Sequence, residues 1–348
     1  MARLTNAFLL VGIGGAVLGA TAAVVIVLAV GGVGQSQPTP TLVPTAPFTA
    51  TPTLTATATA TPTPTATPTN TPTPTPTPTA QPLTIVVFLQ GLGSQLINGQ
   101  EAESPPKFAT IKSAISAQSG RPVEFVYYSY AGFALQADGR PTPLDYGCSE
   151  AAQDPWVSAE LLDSQLDSLD AYWKGRGYEP RFALVGHSLG GLVAVFGMDH
   201  PSVKAVVALD SPLMGVGSGK ARWLDFLLAD LGGCPAPALG QLARMEADPT
   251  WPQTLQGSVA SFQARGGRIA TLGNEQDCYY DPPNCPHLCV WFGFVGCLFF
   301  VPEADTQVVP NADVPWLYKL GNGGSYGHDL ILYHADAVAL VAAFVATP

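Results

Sequence analysis

The chain has 348 residues, with 15 Lys and Arg against 26 Asp and Glu for a net charge of −11. Arg3 is the one ionised side chain before Glu101, so residues 1–82 carry +1 and, by difference, residues 83–348 carry −12. An acidic surface without clustered Lys and Arg excludes a grip on nucleic-acid phosphate and a polybasic grip on anionic lipid.

From Ala7 to Gly34 the sequence is a nearly unbroken run of Ala, Val, Leu, Ile and Gly. A secretory signal core needs about 7–15 such residues and a spanning helix about 20. Residues 1–34 are therefore expected to be a transmembrane anchor, with a long cleaved signal peptide as the alternative. Arg3 precedes the run and Lys107 is the next basic residue, which places the N-terminus in the cytoplasm and the remainder outside. The expected location is the cell membrane with a single pass and an extracellular domain, or secretion if the segment is removed.

Residues 35–82 form a Thr/Pro-rich linker in which every odd position from Thr49 to Thr79 is threonine. Period-2 alternation normally signals a strand, but the interleaved prolines remove ladder donors and fix φ. A polyproline II or unstructured stalk follows, with threonines suited to O-glycans. Six cysteines lie beyond it, Cys148, Cys234, Cys278, Cys285, Cys289 and Cys297. An even number in an exported chain reads as disulfides. The expected pairs are Cys278 with Cys285, Cys289 with Cys297, and hence Cys148 with Cys234. Zinc held by the last four and His287 is the alternative, although zinc sites favour paired short spacings that this cluster lacks.

From Leu83 onward, β-rich runs alternate with helical stretches, the pattern of a mostly parallel sheet covered by helices on both faces. Strands are expected over Thr84–Leu89, Val123–Tyr128, Arg181–Val185, Val203–Leu209, Arg268–Leu272 and Val314–Leu320. A helix is expected over Pro155–Trp173, with Trp156, Leu161, Leu162, Leu166 and Leu169 as its apolar stripe. A second is expected over Asp329–Val345. Within residues 213–263, an amphipathic segment from Lys220 to Leu231 suits either a cap or plain packing on the sheet. Residues 277–303 form a Cys-rich, strongly apolar insertion.

The sharpest string is Phe182-Ala-Leu-Val-Gly186-His187-Ser188-Leu189-Gly190-Gly191-Leu192. A buried strand runs into Gly-x-Ser-x-Gly and a helical pattern follows at once. A serine at the tip of such a turn needs strained backbone angles and close approach of neighbouring chain, which the glycines permit. Ser188 then stands at a helix N-terminus, where the Leu189 amide and the helix dipole favour a developing negative charge.

With these residues the chain resembles the α/β-hydrolase family, nearest its secreted lipase and esterase branches, over most of residues 83–348. The segment Val86-Val87-Phe88-Leu89-Gln90-Gly91-Leu92 is similar to the family's first oxyanion loop. The resemblance implies Leu92 as one amide donor and Leu189 as the other, with Gln90 standing where histidine is common. It implies the chain order Ser, acid, His. His328, in a Gly-rich loop before the last helix, is the expected base, and His334 the packing or surface alternative. For the acid, Asp305 in Asp-Thr-Gln-Val-Val-Pro is the first choice, since one strand and two loops separate it from His328. Asp277 comes next, and Asp210, at a strand end where a minority of lipases carry their acid, follows with Asp281. The expected function is serine hydrolysis of a small-molecule or lipid carboxylic ester through an acyl-enzyme, with no cofactor or metal. Acyl transfer, thioester cleavage and a silent hydrolase-like binding module are the alternatives.

Overall fold

The computed structural model describes residues 80–216, 221–222, 225, 234–274, 308–318, 320 and 324–346. The expected anchor, the linker up to Thr79, the apolar half of the 220–231 segment and the Cys-rich insertion lie outside the described residues. Among the described residues no helix is long and apolar enough to cross a membrane.

Ten strands form among the described residues: β1 Gln81–Leu89, β2 Leu96–Ile97, β3 Gln100–Glu101, β4 Val123–Tyr127, β5 Phe133–Leu135, β6 Pro141–Pro143, β7 Tyr178–His187, β8 Val203–Leu209, β9 Arg268–Asn274 and β10 Val314–Tyr318. Six of them build one sheet in the order β10-β9-β8-β7-β1-β4, and every neighbouring pair is parallel. The pairs β2–β3 and β5–β6 are small antiparallel ladders beside it. Parallel neighbours need crossovers, and helices supply them. The helices among the described residues are α1 Ala109–Gln118, α2 Cys148–Ala151, α3 Pro155–Lys174, α4 Leu189–Phe196, α5 Pro237–Ala247, α6 Trp251–Ala264 and α7 Ala335–Ala346, the last of which follows β10.

Strand periodicity sorts the core into two layers. Val86 and Phe88 of β1, with Ala183 and Val185 of β7, face α1 and α7, where they meet Ile111, Ile115, Val338 and Val341. Ile85, Val87 and Leu89, with Phe182 and Leu184, face α3 to α6 and meet Leu162, Leu166, Leu192 and Phe262. A strand buried on both faces cannot alternate apolar with polar, which is why these segments read as continuous apolar runs.

Helix α3 follows its sequence signals closely. The Asp154 carboxylate accepts from the Trp156 amide at 2.9 Å, Pro155 occupies the first turn, and Leu162, Leu166 and Leu169 are buried. Trp156 departs from the expected stripe: it is 42% exposed and stacks on Phe196 at 4.0 Å, because the first turn overhangs the end of α4. The terminal helix departs as well. A 3-10 segment, Gly324–Leu332, precedes it, and α7 begins only at Ala335. The Leu330 carbonyl takes both the Tyr333 and His334 amides, which closes the tighter turn before the His334 carbonyl accepts Val338 and opens α7. His334 therefore caps that helix rather than lying within it.

Within residues 213–263, α6 is a sheet-covering crossover helix, with Leu255, Val259 and Phe262 in the same core layer as α3. Helix α5 adds Leu239, Leu242 and Met245 to that layer. Helix α6 packs against β9, whereas α5 is tied to Ala152, whose carbonyl accepts the Ala238 amide, and to Val216, whose amide donates to the Leu242 carbonyl. The Cys148–Cys234 disulfide forms as expected, joining α2 to the chain just before α5. The other four cysteines and His287 lie outside the described residues.

Candidate active site

Ser188 links β7 to α4 at φ 56° and ψ −129°, a conformation that L side chains rarely adopt. The turn is held from both sides. The Ser188 amide donates to the Leu209 carbonyl at 2.9 Å, and the Gly91 backbone presses so close that a β-carbon there would lie 2.7 Å from the Ser188 β-carbon. The side chain stays partly exposed while both neighbours, His187 and Leu189, are buried. As the first residue of α4, Leu189 has an amide with no intrahelical acceptor, so it is available to an anion at the turn.

The next strand repeats the device. Asp210 follows the last residue of β8 at φ 47°, and its amide donates to the Leu272 carbonyl at 2.7 Å. Its side chain is fully buried, an expensive location for a carboxylate unless each oxygen finds a donor. Oδ1 accepts from the Asn274 amide at 3.0 Å, and Oδ2 lies 2.8 Å from His328 Nδ1. A carboxylate accepts only, so Nδ1 carries the proton and Nε2 keeps its lone pair.

His328 also meets the serine turn directly. Its carbonyl lies 3.0 Å from His187 Nε2 and the two imidazole centroids are 4.6 Å apart. Ser188, Asp210 and His328 thus gather at the carboxyl ends of β7 and β8. Asp305 and Asp277, the first two choices for the acid, lie outside the described residues, as does Asp281. The carboxylate on His328 is Asp210, the third choice. His334 sits elsewhere, its ring 5.5 Å from that of Tyr318.

Gln90 is 2% exposed, and two tyrosines hold it. Tyr130 donates its hydroxyl to the Gln90 carbonyl at 2.7 Å, and Tyr146 donates to Gln90 Oε1 at 2.6 Å. Ser94 supports Tyr146 at 3.3 Å, and the tyrosine rings meet edge to face. Burial pushes the Tyr130 hydroxyl well above its ordinary pKa, which keeps it a neutral donor. No motif in the sequence announces this clamp on the peptide preceding Leu92. Its one sequence trace is the tyrosine-rich Tyr127-Tyr128-Ser129-Tyr130 at the end of β4. Tyr130→Phe should strand a buried carbonyl and lower the unfolding free energy by about 1–3 kcal/mol in denaturant titration.

The profile described as "Alpha/beta hydrolase family" matches residues 86–341. The chain belongs to that family. Among curated proteins no match is found. Among solved structures, the chain is similar to the mature Bacillus licheniformis lipase BlEst2. It is 15% identical with a TM-score of 0.41, and the match covers 74% of this chain and 90% of that one. Est1E from Butyrivibrio proteoclasticus is 12% identical with a TM-score of 0.37, over 77% and 88% of the two chains. Phospholipase PlaB from Legionella pneumophila is 14% identical with a TM-score of 0.36 over 56% of this chain. The chain spans only 39% of that phospholipase's length.

Proposed function

We propose that this α/β-hydrolase is a serine hydrolase of carboxylic esters, with Ser188 as nucleophile, His328 as base and Asp210 as the acid that orients it. The observation that carries the reading is the 2.8 Å contact of a fully buried Asp210 carboxylate with His328 Nδ1, beside the Ser188 turn. Serine is a poor nucleophile at its ordinary pKa and needs such a base. In the reaction Ser188 Oγ attacks the ester carbonyl carbon and its proton passes to His328 Nε2. The buried Asp210 charge stabilises the imidazolium. The carbonyl oxygen, now negative, is received by the Leu92 and Leu189 amides. Collapse expels the alcohol, which takes the proton from Nε2. Water then repeats the sequence on the acyl-enzyme, releases the acid and restores Ser188.

The substrate class is a small-molecule or lipid ester. The domain acts outside the cytoplasm, tethered by residues 1–34 through the Thr/Pro linker, or free if that segment is cleaved. Support for export comes from the apolar run after Arg3 and from the Cys148–Cys234 disulfide, which belongs in an oxidising compartment.

A fluorophosphonate probe should label the wild type, and Ser188→Ala should abolish labelling together with turnover of nitrophenyl esters. A wild-type protein that stays unlabelled and cleaves no ester across a series of acyl lengths would overturn the reading.

A further inference from the structure

The residue before the nucleophile carries a side chain that the mechanism above does not use. His187 is buried, with 2% of its side chain exposed. Its Nε2 lies 3.0 Å from the His328 carbonyl oxygen, and a carbonyl accepts only, so Nε2 is the protonated nitrogen. That leaves Nδ1 as a bare acceptor, buried and without a partner among the described residues. Burial, aided by the nearby His328 and Lys107, lowers the His187 pKa well below 6.5 and keeps the ring neutral. An unsatisfied buried nitrogen is a standing cost that an apolar residue would not carry.

The arrangement around His328 explains what that cost supports. Asp210 fixes the ring of His328, but nothing in that contact fixes the peptide bearing it. The following residue, Asp329, pairs with Lys107 at 3.2 Å, and each side chain is about a quarter exposed, at 28% for Lys107 and 24% for Asp329. Such a pair contributes at most about 1 kcal/mol and yields to salt. Asp329 Oδ1 is 3.7 Å from His187 Nε2, farther than the His328 carbonyl, so the carbonyl holds the proton. The His187 bond is therefore a buried, direct tie between the backbone of His328 and the turn that carries Ser188.

Resting on the serine hydrolase reading, the geometry points to His187 as a positioning residue that sets the distance between base and nucleophile by anchoring the peptide of His328 to the serine turn. It acts through the His328 backbone, not on a reacting atom itself. Its loss should show as misplacement of the base, and a misplacement near 1 Å costs about 100-fold in rate.

His187→Leu removes the donor and fills most of the volume, whereas His187→Gln keeps an N–H donor of comparable reach. The leucine variant should lose about 10- to 100-fold in kcat with KM within about twofold, and its melting temperature should change little, because stranding the His328 carbonyl and removing the orphaned Nδ1 oppose each other. The glutamine variant should recover most of the rate. A readout independent of turnover is the low-field proton resonance of the His328–Asp210 hydrogen bond, assigned by its absence in Asp210→Asn. That signal should broaden or vanish in the leucine variant and return in the glutamine variant. If the wild type cleaves no ester, the serine hydrolase reading fails while the resonance still decides the role of His187. If leucine leaves the resonance and kcat at wild-type levels, the inference is overturned. It is overturned equally if leucine lowers stability in step with activity, since that marks a structural residue. Should the leucine protein not fold, His187→Asn, whose amide is too short to reach the carbonyl, takes its place with the same expected outcomes.

Discussion

Asp210→Asn should lower kcat by about 10⁴-fold with little change in KM, while Asp305→Asn should leave kcat within about twofold of wild type. The two carboxylates are separated by what surrounds Asp210. It is fully buried, one oxygen holds the Asn274 amide and the other holds His328 Nδ1. Asparagine keeps the size and can still accept from Asn274, so the fold survives. Its amide nitrogen then faces Nδ1, and two donors cannot share that position. The imidazole must turn or adopt the other tautomer, which places the proton on Nε2 where the lone pair is required. The buried negative charge that would stabilise the imidazolium is lost as well. Single-turnover measurement with an activated ester separates this from a binding defect. A large loss in Asp305→Asn with an unaffected Asp210→Asn would reassign the acid.

Gly190→Ala should be among the most damaging substitutions of a single methyl group. Its β-carbon would lie 2.3 Å from both the Leu89 and Gln90 carbonyl oxygens, about 1 Å inside ordinary contact. Neither atom is the loose end of a side chain. Leu89 ends β1, an interior strand paired on both sides, and the Gln90 carbonyl is already held by Tyr130. Either α4 or the Gln90–Leu92 turn must move. Overpacking of this kind costs about 1–3 kcal/mol or more. Displacing the turn also moves a proposed oxyanion donor, and losing one such donor costs about 10²–10³-fold in kcat. Denaturant titration and the rate of fluorophosphonate labelling should therefore both fall. Gly257→Ala is the control. It lies exposed inside α6 with no atom near its missing β-carbon, and alanine there should stabilise by about 0.5–1 kcal/mol.

Features written in short windows are legible in the sequence alone. The sheet strands show as apolar runs because both faces are buried, and the serine turn shows because close approach demands glycines at fixed offsets. The position of His328 is legible for a related reason, since it lies in a Gly-rich loop just upstream of the final helix. The acid is not. Asp305 is favoured by the chain length expected between acid and base, whereas the observed partner is 118 positions from His328. Asp210 reaches it because β8 lies beside β7 and β9 in the sheet, and strand order is a property of the tertiary fold that no local pattern spells out. The tyrosine clamp on Gln90 is hidden for the same reason, since Tyr130 and Tyr146 are 40 and 56 positions away. The start of the last helix falls later than its apolar spacing suggests, because that spacing fits a 3-10 segment nearly as well as an α-helix over so few residues.

Two adjacent strands are each followed by a non-glycine residue with left-handed φ, Ser188 at 56° and Asp210 at 47°. Conformations of this kind typically cost about 1–3 kcal/mol each, which the surrounding hydrogen bonds must offset. At Asp210 the buried donors on its carboxylate hold the strain in place, whereas at Ser188 glycine would relieve it, so directed evolution of this hydrolase for heat tolerance alone would be drawn toward glycine there and would return robust proteins that do no chemistry. Any such campaign needs a turnover screen in every round, because there durability and reactivity compete for one peptide unit.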